Sequence, residues 1–185
     1  SIMNLDKETG ISIMKMNEKL DSGPVTNTYK IKLNQNSNAQ EVSEKLALLA
    51  ADKIFDNVND IFKGNAKFVK QDESQASYAK KIDKMEGKIN WNDKASNILG
   101  KINGLFPNPG AFFNFDGERY KILRAVIGNG SGKAGMVLSD QLEIACTNNQ
   151  SIKILQIQRQ GKNAQKIDEF MRGSNIKKGS LISNA

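Results

Sequence analysis

Ala111-Phe-Phe-Asn-Phe-Asp-Gly-Glu-Arg-Tyr-Lys-Ile-Leu-Arg-Ala-Val-Ile-Gly128 reads as two strands joined at Asp116-Gly117. That dipeptide suits a tight hairpin because Asp and Gly both tolerate turn conformations. Three further apolar segments follow at 135–139, 142–146 and 152–158, separated by turn residues at 128–132, 140–141 and 148–149. With 111–115 and 119–127 they make five short strands on hairpin-like turns, which predicts a small barrel of the OB type. A terminal helix over 164–172 presents Ile167, Phe170 and Met171 and stops at Gly173. Ahead of the strands, Asn92 is placed to cap a helix that buries Ala95, Ile98, Leu99, Ile102 and Phe106 and ends at Pro107-Asn-Pro-Gly110.

The first third of the chain has a different rhythm. Residues 11–16 place Ile11 and Ile13 on one face and Met14 and Met16 on the other, which predicts a strand covered on both sides, as in α/β sheets. Val25, Tyr29, Ile31 and Leu33 then alternate with Thr26, Thr28, Lys30 and Lys32, the period of a half-exposed strand. The connection over 17–24 is too short for a crossover helix, so the two strands pair antiparallel. Asp21 falls just past a strand end, where open α/β sheets carry their ligands. Ser37 and Gln40 have capping-box spacing. The helix they start runs to about Lys63, with Val42, Leu46, Leu49, Ala50, Ile54, Val58, Ile61 and Phe62 on one predicted buried face. Gly64 is its stop. Residues 65–88 have few periodic apolar positions and read as a linker.

Composition removes several kinds of chemistry. The 185 residues hold one cysteine and no histidine. An internal disulfide, a tetrahedral zinc site and a Ser-His or Cys-His nucleophile within the chain are therefore ruled out or nearly so. Cys146 lies in an apolar pattern and is expected to be a packed thiol, in keeping with a reducing compartment. No apolar run approaches the ~18 residues of a membrane span. The first residues lack the pattern of a signal peptide, so a cytoplasmic protein is expected. Gly128-Asn-Gly-Ser-Gly-Lys133 has the wrong glycine spacing and the wrong following element for a phosphate-binding loop, and reads as a hairpin loop.

Charge is unevenly distributed. Residues 1–70 hold ten Lys/Arg and nine Asp/Glu, whereas residues 86–185 hold fourteen and eight. A basic second half joined to a nearly neutral first half points to a polyanionic partner, nucleic acid before membrane. The candidate phosphate contacts are Lys88, Lys101, Arg119, Lys121, Arg124, Lys133, Arg159, Lys162 and Arg172. Trp91, Phe106, Phe112 and Phe113 are expected in the core rather than as base-stacking platforms.

Met16-Asn-Glu-Lys-Leu-Asp-Ser-Gly-Pro24 resembles the M-x-x-x-L-D-[ST]-G-[PD] segment of folate-dependent formyltransferases, above all the methionyl-tRNA formyltransferase family. Gln71-Asp-Glu-Ser-Gln-Ala-Ser-Tyr-Ala-Lys-Lys-Ile82 is similar to that family's linker signature. So are Gly87-Lys-Ile-Asn-Trp91 to G-x-I-[DN]-W and Phe106-Pro-Asn-Pro-Gly-Ala-Phe112 to F-P-x-P-G-A-[FW]. Gln160-Gly-Lys162 and Phe170-Met-Arg-Gly173 resemble motifs near the family's C-terminus. Their common order and spacing make the resemblance specific.

The resemblance implies an α+β chain. Residues 1–66 would be the last third of a Rossmann-like catalytic domain, 67–85 a linker, and 86–185 an OB-like five-stranded β-barrel domain that helps hold tRNA. It implies formyl transfer from 10-formyltetrahydrofolate to the α-amine of methionyl initiator tRNA, with no metal. Asp21 would be the catalytic carboxylate, and the backbone of Asn17, Glu18, Lys19 and Leu20 would contact the pterin. The family's Asn-x-His pair and S-L-L-P loop have no counterpart here, so the chain by itself is expected to be inactive and monomeric. An amino-sugar N-formyltransferase and a non-catalytic RNA-binding module are the alternatives.

Overall fold

The computed structural model describes residues 1–183. The chain is α+β, as the pattern predicts, and divides into two units: Lys7–Leu33 with Glu41–Lys81, and Ser1–Asp6 with Asn34–Gln40 and the residues from Ile82 onward.

The smaller unit is a hairpin and a long helix. Strands β1 (Glu8–Met14) and β2 (Val25–Lys32) pair antiparallel, with Ile11 opposite Tyr29. The short connection leaves no other choice. The doubly covered strand expected over 11–16 is not found. β1 begins earlier, at Glu8, and its exposed Glu8, Gly10 and Ser12 alternate with half-buried Thr9, Ile11 and Ile13. Register shifts between Ile13 and Met14, and Met16 lies beyond the strand, 92% exposed. β1 is paired along one edge and packed on one face, so period two replaces the continuous apolar reading.

Helix α1 (Ala39–Phe62) starts one residue beyond the position set by a Ser37 cap. Val42, Leu46, Ala50, Lys53 and Asn57 form a stripe that is buried or half-buried at helical spacing, and Lys53 and Asn57 meet Tyr29 of the hairpin. Asn57 anchors it: Nδ2 donates to Tyr29 Oη at 2.9 Å and to the Lys53 carbonyl at 2.7 Å, while Oδ1 accepts from Asn27 at 2.6 Å. Ile54, Val58, Ile61 and Phe62, expected in the buried face, are exposed, as are Leu48 and Phe55. α1 carries two apolar stripes, and two strands cover only one. Val69 exchanges backbone hydrogen bonds with Val25 in both directions, at 2.9 and 2.8 Å. Residues 71–85 are exposed throughout, which suits a linker. Within them Asp72 caps a short 3-10 turn at Glu73–Gln75.

The larger unit is an antiparallel sheet of β3 (Ala111–Phe115), β4 (Glu118–Gly128), β5 (Glu143–Ala145), β6 (Ser151–Arg159) and β7 (Ala164–Lys166). The order is β3-β4-β6-β5, and β7 also pairs with β6. β5 lies along Ser151–Lys153 and β7 along Gln156–Gln158, so they share one edge of β6. β3 and β5 do not pair among the described residues, which leaves the ladder partly open, as OB-type sheets are. The strand expected at 135–139 is reduced to isolated bridges at Met136 and Val137. The helix expected from Ala164 starts only at Ile167, as α3 (Ile167–Arg172), because the first three residues join the sheet as β7.

β4 and β6 both shift register midway. Ile122 pairs with Ile157 and Ala125 with Ile154, while Leu123 and Leu155 drop out of the pairing. One extra residue on each strand reverses the pleat, so buried Tyr120 and Ile122 are followed by buried Ala125. The resulting bend wraps the sheet around helix α2 (Ala95–Gly104), whose Ala95, Ile98, Leu99 and Ile102 are fully buried. The N-cap of α2 is Lys94, without a side-chain bond. Asn92 instead belongs to the preceding turn, where Asn90 Oδ1 accepts its N–H. A relay of rings ties the unit together. Trp91 meets Phe113 edge-on at 6.0 Å, Phe113 stacks on Tyr120 at 5.4 Å, and Tyr120 meets Phe170 of α3 at 5.7 Å. Trp91, Phe112 and Phe113 are buried and Phe106 half-buried, as the core reading requires.

Candidate functional site

The Asp21 turn belongs to the smaller unit and is held at several points. At its base, Lys15 N–H donates to the Pro24 carbonyl at 3.0 Å. Asp21 itself has a left-handed backbone, φ +53°, a conformation Asp adopts more readily than most side chains. Gly23 is buried against Lys15, and a Cβ there would fall 1.7 Å from the Lys15 carbonyl oxygen. Only glycine allows the chain to close so tightly. Ser22 Oγ donates to Asn17 Oδ1 at 2.9 Å and to the Lys19 carbonyl at 3.1 Å. From the far end of the unit, Gln71 Nε2 donates to the carbonyls of Asp21 at 2.9 Å and Gly23 at 2.7 Å.

The result is a rigid backbone with an exposed carboxylate at its tip. Asn17, Glu18, Lys19 and Leu20 are also exposed, Leu20 at 91%. Chemically, Asp21 offers an exposed proton acceptor on a hydrogen-bonded turn, beside a loop with little side-chain cover. Gln71 is missing from the residues singled out by sequence. Its signal was its place at the head of the linker motif, and nothing in local periodicity joins it to a turn fifty positions earlier.

The larger unit holds a groove of about 650 Å³ lined by Ile82, Lys84, Asn108, Pro109, Arg119, Lys121, Gln158, Gln160 and Gly161. Three motifs noted separately in the sequence meet here: the linker motif ends at Ile82, Asn108-Pro109 belongs to F-P-N-P-G, and Gln160-Gly161 belongs to Q-G-K. The lining carries three cations and no carboxylate. Arg119 lies flat on Phe112, its guanidinium carbon 3.4 Å from the ring centroid, so its planar fork is preorganised. The stem of Lys121 crosses Gly110, where φ is +81° and a Cβ would fall 2.6 Å from Lys121 Cδ. Lys84, Asn108, Gln158 and Gln160 were not among the candidate residues. They come from separate turns and one strand, and only the folded sheet brings them together.

The other candidate cations are placed differently. Arg159 pairs with Glu118, which also accepts from the Tyr120 hydroxyl at 2.9 Å. The Arg159 hydrogen bond, then that of Tyr120, holds the Glu118 carboxyl below its ordinary range. Burial and the Glu118 bond push the Tyr120 hydroxyl up to about 12. Lys101 Nζ donates to the Lys88 carbonyl at 3.1 Å, and the Lys88 backbone bridges to Phe112. These are bonds within the fold. Arg124 is exposed at the β4 register shift, Lys133 in the loop after β4, and Arg172 in the last turn of α3. Lys162 is exposed in the turn that carries Gln160 and Gly161, and its carbonyl accepts from Gln158 Nε2 at 2.9 Å. Of the nine candidates, Arg119 and Lys121 line the groove.

Among the described residues, no three His, Cys, Asp or Glu side chains gather as a metal site. Nor is any helix among them long and apolar enough to cross a membrane.

A neutral hairpin with a fixed Asp turn, joined to a basic open sheet, defines a class. Residues 81–175 match the family described as "Formyl transferase, C-terminal domain", and the chain belongs to that family. It is 59% identical over 184 residues to the methionyl-tRNA formyltransferase of Pelagibacter ubique strain HTCC1062, a match that covers 100% of this chain and 59% of that protein. The chain thus spans about three-fifths of that relative's length.

Two solved structures share the fold at low identity. One is HypX from Aquifex aeolicus in complex with tetrahydrofolic acid, at TM-score 0.70 and 16% identity, covering 96% of this chain and 32% of that one. The other is the N-formyltransferase from Helicobacter canadensis in complex with folinic acid and dTDP-3-aminofucose. It aligns at TM-score 0.68 and 18% identity, over 85% of this chain and 58% of that one.

Proposed function

We propose that this chain works in a methionyl-tRNA formyltransferase, moving a formyl group from 10-formyltetrahydrofolate to the α-amine of methionyl initiator tRNA in the cytoplasm. The observation that carries the choice of acceptor is the 59% identity, over the whole chain, to a protein of that name. The likeness to HypX and to the sugar N-formyltransferase is one of fold. A groove with three cations and no carboxylate also suits an acceptor that carries phosphates.

Attack of the amine on the formyl carbon forms a C–N bond and a tetrahedral adduct. The carbonyl π electrons move to oxygen, and the nitrogen becomes an ammonium that loses a proton. The oxygen electrons then re-form the C=O bond, the C–N bond to folate breaks, and the folate nitrogen leaves with a proton taken up from the acid so formed or from solvent. Asp21 is the acceptor on this chain: its carboxylate, on a turn locked by Ser22 and Gln71, takes the ammonium proton directly or through one water. A histidine oxyanion donor is not supplied by these residues, since the chain has no histidine. The exposed backbone of 17–20 is the surface for the pterin. In the larger unit, Arg119 and Lys121 grip tRNA phosphates, which positions the substrate without reading its sequence. By role, most of residues 1–66 serve chemistry, 67–85 link while Val69 and Gln71 hold the hairpin and its Asp21 turn, and 86–185 bind RNA.

The test is a chimera in which this chain replaces the aligned part of the Pelagibacter ubique protein, assayed for formylation of methionyl-tRNA. Asp21→Asn is expected to lower kcat by about 10²–10⁴-fold, the usual weight of a proton-transfer group. A substituted chimera that turns over at the unsubstituted rate would remove Asp21 from the mechanism.

A further inference from the structure

We infer that Gln71 is a positioning residue for the Asp21 carboxylate, acting through the backbone of the turn. This rests on the role proposed for Asp21. Gln71 Nε2 reaches two carbonyls, those of Asp21 and Gly23, at 2.9 and 2.7 Å. A primary amide has two N–H donors, and one is available for each carbonyl. The pair of bonds brackets Ser22 and fixes the orientation of both flanking peptides.

The turn needs such a clamp. Asp21 sits at φ +53°, a well that a non-glycine residue leaves easily unless its surroundings hold it there. Gly23 has no room for a side chain, because a Cβ there would fall 1.7 Å from the Lys15 carbonyl oxygen. The remaining freedom is rotation of the peptides around Ser22, the motion that would swing the Asp21 side chain away. Gln71 blocks that rotation.

The reach of Gln71 is itself fixed. Two residues earlier, Val69 is bonded to Val25 in both directions, at 2.9 and 2.8 Å. Lys15 Nζ also lies 4.4 Å over the Phe68 ring. The amide therefore starts from an anchored backbone and spans a set distance. Gln71 bonds to peptide oxygens, so it sets the direction of the Asp21 carboxylate and leaves substrate contacts to others. Loss of the clamp is expected in kcat and not in tRNA affinity.

The experiment has two arms. In the 185-residue chain, ¹⁵N NMR should show the Gln71 side-chain amide protons protected from exchange. Gln71→Ala should shift the backbone amides at 21–23 and leave the larger unit's signals in place. In the chimera, Gln71→Ala and the isosteric Gln71→Glu, which loses both donors, are expected to lower kcat at least tenfold. KM for methionyl-tRNA should stay within twofold and the melting temperature should be unchanged. Asp72→Ala, which loosens the neighbouring 3-10 turn and leaves both carbonyl bonds in place, is expected to keep kcat within twofold. Unchanged kcat in both Gln71 variants, beside a dead Asp21→Asn, overturns the role of Gln71 alone. An equal loss in Asp72→Ala overturns it too, since general loosening of the segment would then explain the effect. Full activity in Asp21→Asn fails the role of Asp21 and takes the Gln71 inference with it.

Discussion

Cys146 shows what burial does to one reactive group. It follows β5 at 2% exposure, and burial pushes its thiol up to about 12. At pH 8 a thiol of that kind is ionised roughly once in 10⁴ molecules, whereas an unfolded cysteine is ionised about a quarter of the time. A disulfide reagent such as DTNB is expected to label the native chain at least about 100-fold more slowly than the chain in guanidinium. Equal rates in the two states would mean that the sulfur is open to solvent. The packed-thiol reading was available from the apolar neighbours of Cys146 alone. The reading of Arg159 was not: its basic side chain looks like any other phosphate contact until Glu118, forty-one positions earlier, is seen against it.

At the scale of elements, local pattern gave types and turns well and faces less well. β3 matches its expected bounds, and the antiparallel hairpin at β1–β2 follows from the length of its connection. The errors come from what packs against what. α1 has apolar residues enough for two stripes, and periodicity does not say which one meets a neighbour. Residues 164–166 have helix-compatible residues, yet β6 offers them an open edge and they pair with it. In the larger unit the core shared by α2 and the sheet includes Trp91, which is 0% exposed and set edge-on to Phe113. Trp91→Ala is expected to cost about 3–5 kcal/mol, the usual loss when a large buried aromatic is deleted. Equilibrium urea unfolding followed by far-UV circular dichroism measures it. A loss under 1 kcal/mol would mean that α2 is held by other contacts.

For the whole molecule, the charge imbalance becomes a statement about salt. If Arg119 and Lys121 each neutralise a phosphate, tRNA binding by the 185-residue chain must weaken steeply as salt rises. Arg119→Ala and Lys121→Ala are each expected to weaken binding and to lower the log–log salt slope by about 1. Arg159→Ala should change the slope less, because Glu118 already occupies that guanidinium. Fluorescence titrations from 50 to 300 mM KCl, on tRNA labelled away from its acceptor end, give both numbers. Equal slopes in all four proteins would place the phosphates elsewhere on the surface.

By itself the sequence determined most of the secondary-structure types, the α+β class, the turn at Asp21, the uneven charge and the lack of histidine among these 185 residues. These depend on residues close in the chain, or on composition, and both can be read without coordinates. Tertiary structure decided which stripe of α1 is covered and where β4 and β6 shift register together. It also decided which two of nine cations line a groove, and that Gln71 bonds to a turn fifty residues away. Each of these is a meeting of distant segments, settled by which edges and faces remain open once the nearer pairings have formed. The motifs ending at Ile82, around Asn108 and at Gln160 each carried a signal in one dimension, and they meet in one groove beside the paired start of β4 and end of β6, where Lys121 lies opposite Gln158.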